Sequence, residues 1–305
     1  MSYRSSTRIT ATHYLSGSKA GVLLMISGVM LLPFADAAVK LLSERYTMPQ
    51  LLGVRFFFPF WLVVSFTRWR HGPTFYATGR PVLLIVRGLL WVGSNFFFAT
   101  AIKYVPLADA MAVVFFSSAV LIILSWLFLH ERVSKNRWAA VALGLVSIMI
   151  IIRPGFEQFS PAILFALCAA LLFGCYLFST RLLSIREPPL VIMSYQLLGA
   201  LLIFTPTLPF VWVKPVAADL FLLIAASLIN VLGHILIIRA FQLADASLLA
   251  PFVYVEIIMH ILLGQMLFGD FPDKWTWLGI IMIVGVGVYV SSQDPELQQD
   301  KDKEM

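Results

Sequence analysis

Glu256 and His260 lie four residues apart in the stretch Leu243–Asp273, LADASLLAPFVYVEIIMHILLGQMLFGDFPD. At helical spacing they share a face. The apolar run around them, Ala246–Phe268, is as long as a bilayer-crossing helix of roughly 20 residues. An acid and an imidazole at that depth are costly and turn toward a bundle interior or a watery cavity. Their chemistry there is proton exchange or the binding of a cation. The plainer alternative makes Glu256 the partner of a buried Lys or Arg, and His260 a packing histidine. Asn230 and His234 repeat the i, i+4 spacing in the preceding apolar segment. They read either as a polar stripe facing a cavity or as interhelical hydrogen bonds worth about 0.6–2 kcal/mol each.

Arg87, Trp91 and Asn95 fall on one face at successive turns. Arg87 is close enough to its segment's end to snorkel, whereas Trp91 and Asn95 are deeper and suit a metabolite pocket. Asp36 follows Pro33, which weakens the local backbone ladder. A broken first helix carrying a carboxylate is the expectation there, with Lys40 or Arg55 available to neutralise it. Tyr254, Tyr176, Tyr195 and Gln196 are weaker candidates, because Tyr is frequent at interfaces.

Other chemistries lack their residues. The five histidines show no HExxH or comparable metal spacing. Cys168 and Cys175, the 2 cysteines, sit inside an apolar run and read as small packing residues. No GxxxxGK[ST] phosphate loop occurs. No metal or cofactor is therefore expected. The net charge of +6 is scattered over short connections, which argues for membrane topology and against nucleic acid as a partner.

These side chains must be held by helices in lipid. The 305 residues are 60% hydrophobic and 12% charged, with mean hydropathy +0.89. Soluble domains average about 25% charged residues. Ten apolar segments run at 19–41, 50–66, 82–102, 108–129, 137–152, 160–181, 190–211, 219–238, 246–268 and 275–291. They follow a polar cytoplasmic segment, 1–18, and precede a charged tail, 292–305, expected to be disordered. With the N-terminus cytoplasmic, 14 Lys and Arg fall in inner segments and 6 in outer ones, leaving Arg55 and Arg87 within helices. The positive-inside rule then puts both termini in the cytoplasm.

The chain also repeats itself. Leu107–Ala110 and Leu243–Ala246 both read LADA, and each opens an apolar run ending in FLHE (Phe128–Glu131) or LFGD (Leu267–Asp270). Asp109 and Asp245 read as helix caps, and Glu131 and Asp270 as structural loop contacts. Five segments per half is an odd number, so the second half enters the membrane from the opposite side. Inverted repeats of this kind place a substrate site near mid-bilayer and work by alternating access. Only the second half carries the acid.

With AIKYVPLADAMAVVFFSS (Ala101–Ser118), Phe128–Gly155 and their counterparts at Arg239–Phe252 and Leu262–Gly279, the chain resembles the EamA branch of the drug/metabolite transporter superfamily. The resemblance implies an all-α integral membrane fold: ten transmembrane helices in two inverted five-helix EamA repeats, 19–152 and 160–291. It also implies a central cavity lined mainly by helices one, three, four, six, eight and nine. The expected function is inner-membrane export of a small polar metabolite, amino-acid-like or derived from amino acids and including metallophores, with proton coupling centred on Glu256. An importer of riboflavin-like or S-adenosylmethionine-like cofactors is the alternative. An intramembrane enzyme and a non-transporting sensor are remoter ones. The expected partners are a small molecule and the lipid bilayer, with a homodimer left open.

Overall fold

The computed structural model describes residues 5–72, 76, 78–129, 135–152, 160–183, 189–243 and 249–292. Their regular structure is helical throughout, and no strand occurs among the described residues. The elements are α1 (Ser5–Leu42), α2 (Met48–His71), α3 (Pro81–Tyr104), α4 (Leu107–Val114), α5 (Ser117–Leu129), α6 (Lys135–Ile152), α7 (Ile163–Leu183), α8 (Pro189–Phe204), α9 (Leu208–Val211), α10 (Ala217–Leu243), α11 (Glu256–Phe268) and α12 (Lys274–Ser292). Short 3-10 turns occupy Thr205–Thr207 and Ala250–Val255.

Seven helical stretches among the described residues are long and apolar enough to cross a membrane, and three apolar helices are shorter. Side chains facing away from the bundle are apolar, with Phe210 88% and Phe221 74% exposed. A surface of that kind is stable against acyl chains and costly against water.

α1 starts at Ser5, and the apolar stretch within it that is long enough to cross a membrane is Lys19–Leu42. One expectation needs correction: α1 runs unbroken through Pro33, which removes one N–H from the ladder without ending the helix. The breaks lie elsewhere. Phe115 and Phe116 form a turn between α4 and α5, and the 3-10 turn at Ala250–Val255 precedes α11. Glu256 is thus the first residue of α11 rather than a mid-helix acid. The 3-10 turn feeds directly into α11, and the Glu256 N–H is bonded back to the carbonyls of Val253 and Tyr254. Asp109 sits inside the first turn of α4, where the cap position is Pro106. The cap expected at Asp245 and the loop contact at Glu131 lie outside the described residues.

Helix pairs approach closely where side chains are smallest, as packing in lipid favours. α1 meets α10 at Gly28 and Gly233, where a Cβ on either residue would stand 2.8 Å from the other's carbonyl oxygen. α3 meets α8 at Gly88 and Gly199 in a similar manner. Two principal cores result. One gathers α4, α5, α6, α7, α11 and α12 around Val113, Phe116, Ile148 and Ile280. The other gathers α1, α2, α3 and α8 around Leu52, Phe56, Trp91 and Phe204.

One end of the bundle is tied shut by residues 40–50. Lys40 Nζ donates to Asp270 Oδ2 at 2.7 Å and to the Val105 carbonyl at 2.9 Å. Asp270 is positioned by Gly269, whose left-handed backbone (φ +71°) lets the Asp270 N–H reach the Gly264 carbonyl and close α11. Tyr46 Oη donates to Asp219 Oδ2 at 2.8 Å, with Arg45 at 3.2 Å from the same oxygen. Gln50 exchanges two hydrogen bonds with the backbone of Val213, at 2.7 and 2.9 Å. This clasp joins the ends of α1, α3 and α11 to the start of α10.

Candidate functional site

A cavity of about 320 Å³ opens among α2, α3, α7, α8 and α10. Arg55, Phe56 and Pro59 come from α2, Arg87 and Trp91 from α3, Tyr176 and Thr180 from α7, Gln196 from α8, and Asn230 and His234 from α10. Trp91 and Arg87 lie 13 and 17 residues before the clasp end of α3. At 1.5 Å rise per residue that is about 20 and 25 Å from the clasp. The cavity therefore runs from Arg55 and Phe56, five and six residues past Gln50 on α2, into the half of the bundle away from the clasp.

Arg87 does not snorkel: it is 4% exposed and turned inward. Its Nε donates to Thr180 Oγ1 at 2.8 Å, Nη1 to Gln196 Oε1 at 3.0 Å, and Nη2 to Tyr176 Oη at 2.8 Å. The Tyr176 ring also lies under the guanidinium, 4.4 Å from it, a favourable cation–π distance. Tyr176 Oη donates in turn to Gln196, and Thr180 to the Tyr176 carbonyl, so the acceptors are fixed before any ligand arrives. Trp91 packs on Phe56 with ring centroids 4.9 Å apart and forms an aromatic wall.

A second cluster lies beside this cavity, between α1, α2 and α11. Arg55 Nη1 donates to Asp36 Oδ1 at 2.8 Å, and both residues are buried. Lys40, the other expected partner of Asp36, pairs with Asp270 instead. His260 is fully buried, with Nδ1 3.1 Å from the Glu256 carbonyl and Nε2 3.4 Å from Asp36 Oδ2. The carbonyl only accepts, so Nδ1 carries a proton. A carboxylate likewise only accepts, so the longer contact is a hydrogen bond when a further proton sits on Nε2 or on Asp36. Glu256 is buried nearby, at the start of α11.

The expected site residues thus divide. Arg87, Trp91, Asn230 and His234 line one cavity. Asp36, Glu256 and His260 form the neighbouring charge cluster. Asn95 lies outside the cavity, its amide donating to the Trp91 carbonyl. Tyr254 also lies outside, edge-on to Phe115 at 5.0 Å. The lining departs from the expected helices as well. α1 packs its backbone on α10 at the glycine pair, and α11 turns its polar face to α1, which keeps both out of the cavity wall. Thr180 and the cavity-facing role of Arg55 escape sequence reasoning. Thr180 lies one turn after Tyr176, and that spacing was the available signal. Among the described residues no group of three His, Cys, Asp or Glu is arranged to hold a metal.

An apolar-surfaced helical bundle around a largely apolar cavity with a few convergent polar side chains is the architecture of a multi-pass membrane protein, and the comparisons give its family. The model of the EamA-like transporter family matches residues 19–153 and again 160–293. The chain belongs to that family. It is similar to an S-adenosylmethionine uptake transporter of Rickettsia felis, 26% identical over 84% of this chain and 86% of that protein. It is also similar to a pseudopaline exporter, CntI, of Pseudomonas aeruginosa, 27% identical over 87% and 94%. A riboflavin transporter of Vibrio cholerae is 32% identical over 59% and 61%. One solved crystal structure shares the fold with a TM-score of 0.59 at 20% identity, covering 89% of this chain and 96% of its own. The family and these relatives carry the names of transporters, not enzymes, and the chain is a multi-pass bacterial membrane protein.

Proposed function

We propose that the protein is a secondary transporter of the bacterial inner membrane that exports a small polar metabolite, amino-acid-like or amino-acid-derived, by alternating access. In this reading the three shorter apolar helices complete ten crossings. The units 19–152 and 160–291 are inverted repeats, and both termini face the cytoplasm. The observation that carries the proposal is the asymmetry along the bundle axis. A cavity with polar side chains set in a largely apolar wall extends from Arg55 toward the starts of α3 and α8, while the clasp of residues 40–50 ties the other end. With both termini cytoplasmic, the cavity faces inward, ready to load from the cytoplasm.

Asp36, His260 and Glu256 carry the coupling proton, with Arg55 and His234 as the neighbouring basic groups. Loss of the proton between His260 and Asp36 changes the charge facing Arg55, which lines the cavity, and so links proton occupancy to substrate. Glu256→Gln should remove the pH dependence of transport while leaving the protein in the membrane. An unchanged pH profile takes Glu256 out of the mechanism.

The deciding experiment is metabolite profiling of cells and medium in a deletion strain, a wild-type complement and a Glu256→Gln complement. A compound that accumulates inside the deletion strain and disappears from its medium supports export. The second reading, import of a cofactor-like metabolite, is favoured by relatives that carry S-adenosylmethionine uptake and riboflavin transport names. It is supported instead if a compound is left unconsumed in the medium.

A further inference from the structure

Arg87 is the buried cation whose partners fall short of its charge. Thr180, Gln196 and Tyr176 are all neutral, and each takes one N–H from a different nitrogen. A guanidinium has five N–H groups. One therefore remains on Nη1 and one on Nη2, each open to a charge-assisted hydrogen bond from an anion in the cavity. A buried charge without a counter-charge is expensive, and among the described residues the cavity wall contains no Asp or Glu. It contains a second arginine instead. Arg55 spends one Nη1 bond on Asp36, and its buried Nε has no hydrogen-bond partner among the described residues. Two guanidinium groups with unused donors face one cavity that supplies no anion.

We infer that the transported substrate brings the missing anion: a carboxylate held by Arg87, in a molecule whose body lies against the Trp91–Phe56 wall. This deepens the transport reading above and rests on it. The three neutral partners of Arg87 belong to the device. They fix the guanidinium plane without neutralising it, whereas an acidic partner would compete with the substrate. Arg55 is the secondary contact, since it is shared with Asp36. Asn230 and His234, on the α10 side of the cavity, are left for the substrate's other polar groups.

Profiling first identifies the compound whose distribution follows the wild-type protein, and that compound must carry a free acid. Uptake of the labelled compound is then measured in inside-out vesicles, with the unlabelled acid or its carboxamide as competitor. The wild-type protein should prefer the acid by about 10- to 100-fold, the range that charge-assisted hydrogen bonds provide. Arg87→Gln should bring acid and carboxamide to equality. Arg87→Lys, which keeps the charge but loses the fork, should retain part of the preference and serves where the glutamine variant does not reach the membrane. A merely structural Arg87 would lower uptake in the variants without altering the ratio, and that result overturns the inference. So does a transported compound with no acidic group, or equal competition by acid and carboxamide in the wild type. If a lipid headgroup phosphate were the anion, uptake would instead track the phosphatidylglycerol content of reconstituted vesicles while acid and carboxamide competed alike. If no compound follows the wild-type protein, transport itself falls and the inference with it, an outcome distinct from all the others.

Discussion

The breaks before α5 and α11 occupy corresponding places in the two regions that match the family model. Each is followed by an α-helix of 13 residues. The first residue of one is Ser117 and of the other Glu256. The breaks also touch: Tyr254, two residues before Glu256, lies edge-on to Phe115 and hydrogen-bonds Ser118. The same backbone device is neutral in one half and carboxylate-bearing in the other. The family match is therefore doubled while the acid is single, and the role proposed for Glu256 draws on its surroundings on α1 rather than on the break.

That contrast can be tested by changing either side. The largest effect is expected for Asp36→Asn, which leaves Arg55 buried beside a neutral group. Removing one partner of a buried ion pair costs about 3–5 kcal/mol. Thermal unfolding of the purified protein should show it, and adding Arg55→Gln should recover most of the loss. Next comes Ser117→Glu, which installs the acid at the equivalent, buried break. A carboxylate at that depth costs about 3 kcal/mol, so abundance and melting temperature should fall. Combining it with Glu256→Ser should not restore pH-dependent transport, because no His260–Asp36 pair receives the relocated acid. Recovery would mean that the break itself carries the function. Ala at Gly28 or Gly233 places a methyl group 2.8 Å from backbone oxygen, an overpacking of about 1–3 kcal/mol. The melting temperature should fall for both, since each glycine meets the other's carbonyl. The smallest effect is expected for Tyr254→Phe, which keeps the ring contact with Phe115 and loses a hydrogen bond worth about 0.6 kcal/mol. Its pH profile should match the wild type.

Much of the helical architecture is legible in the sequence because lipid imposes one rule: long apolar runs with short connections. The polar residues are legible only as faces. Spacing puts Glu256 and His260 together and Arg87 beside Trp91, since a helix repeats every 3.6 residues. It does not say which neighbour a face meets. Asp36 takes Arg55 and not the nearer-in-sequence Lys40 because Lys40 is drawn to Asp270, 230 residues away. Glu256 and Arg87 look like parts of one polar site in the sequence, yet the Gly28–Gly233 contact closes α1 against α10 and keeps Glu256 off the cavity wall. The backbone break before Glu256 was hidden too, inside an apolar run that reads as continuous.

The clasp draws all its side-chain donors from Lys40, Arg45, Tyr46 and Gln50, within one turn-and-helix-start of the chain. That concentration makes the far end of the bundle addressable from outside the cell, in the proposed orientation, without entering the substrate pathway. An antibody fragment or cyclic peptide gripping this corner would freeze the closed face and stop turnover while leaving the cavity free to fill. Inhibition by such a reagent would not be relieved by excess substrate, unlike inhibition by any compound that occupies the cavity.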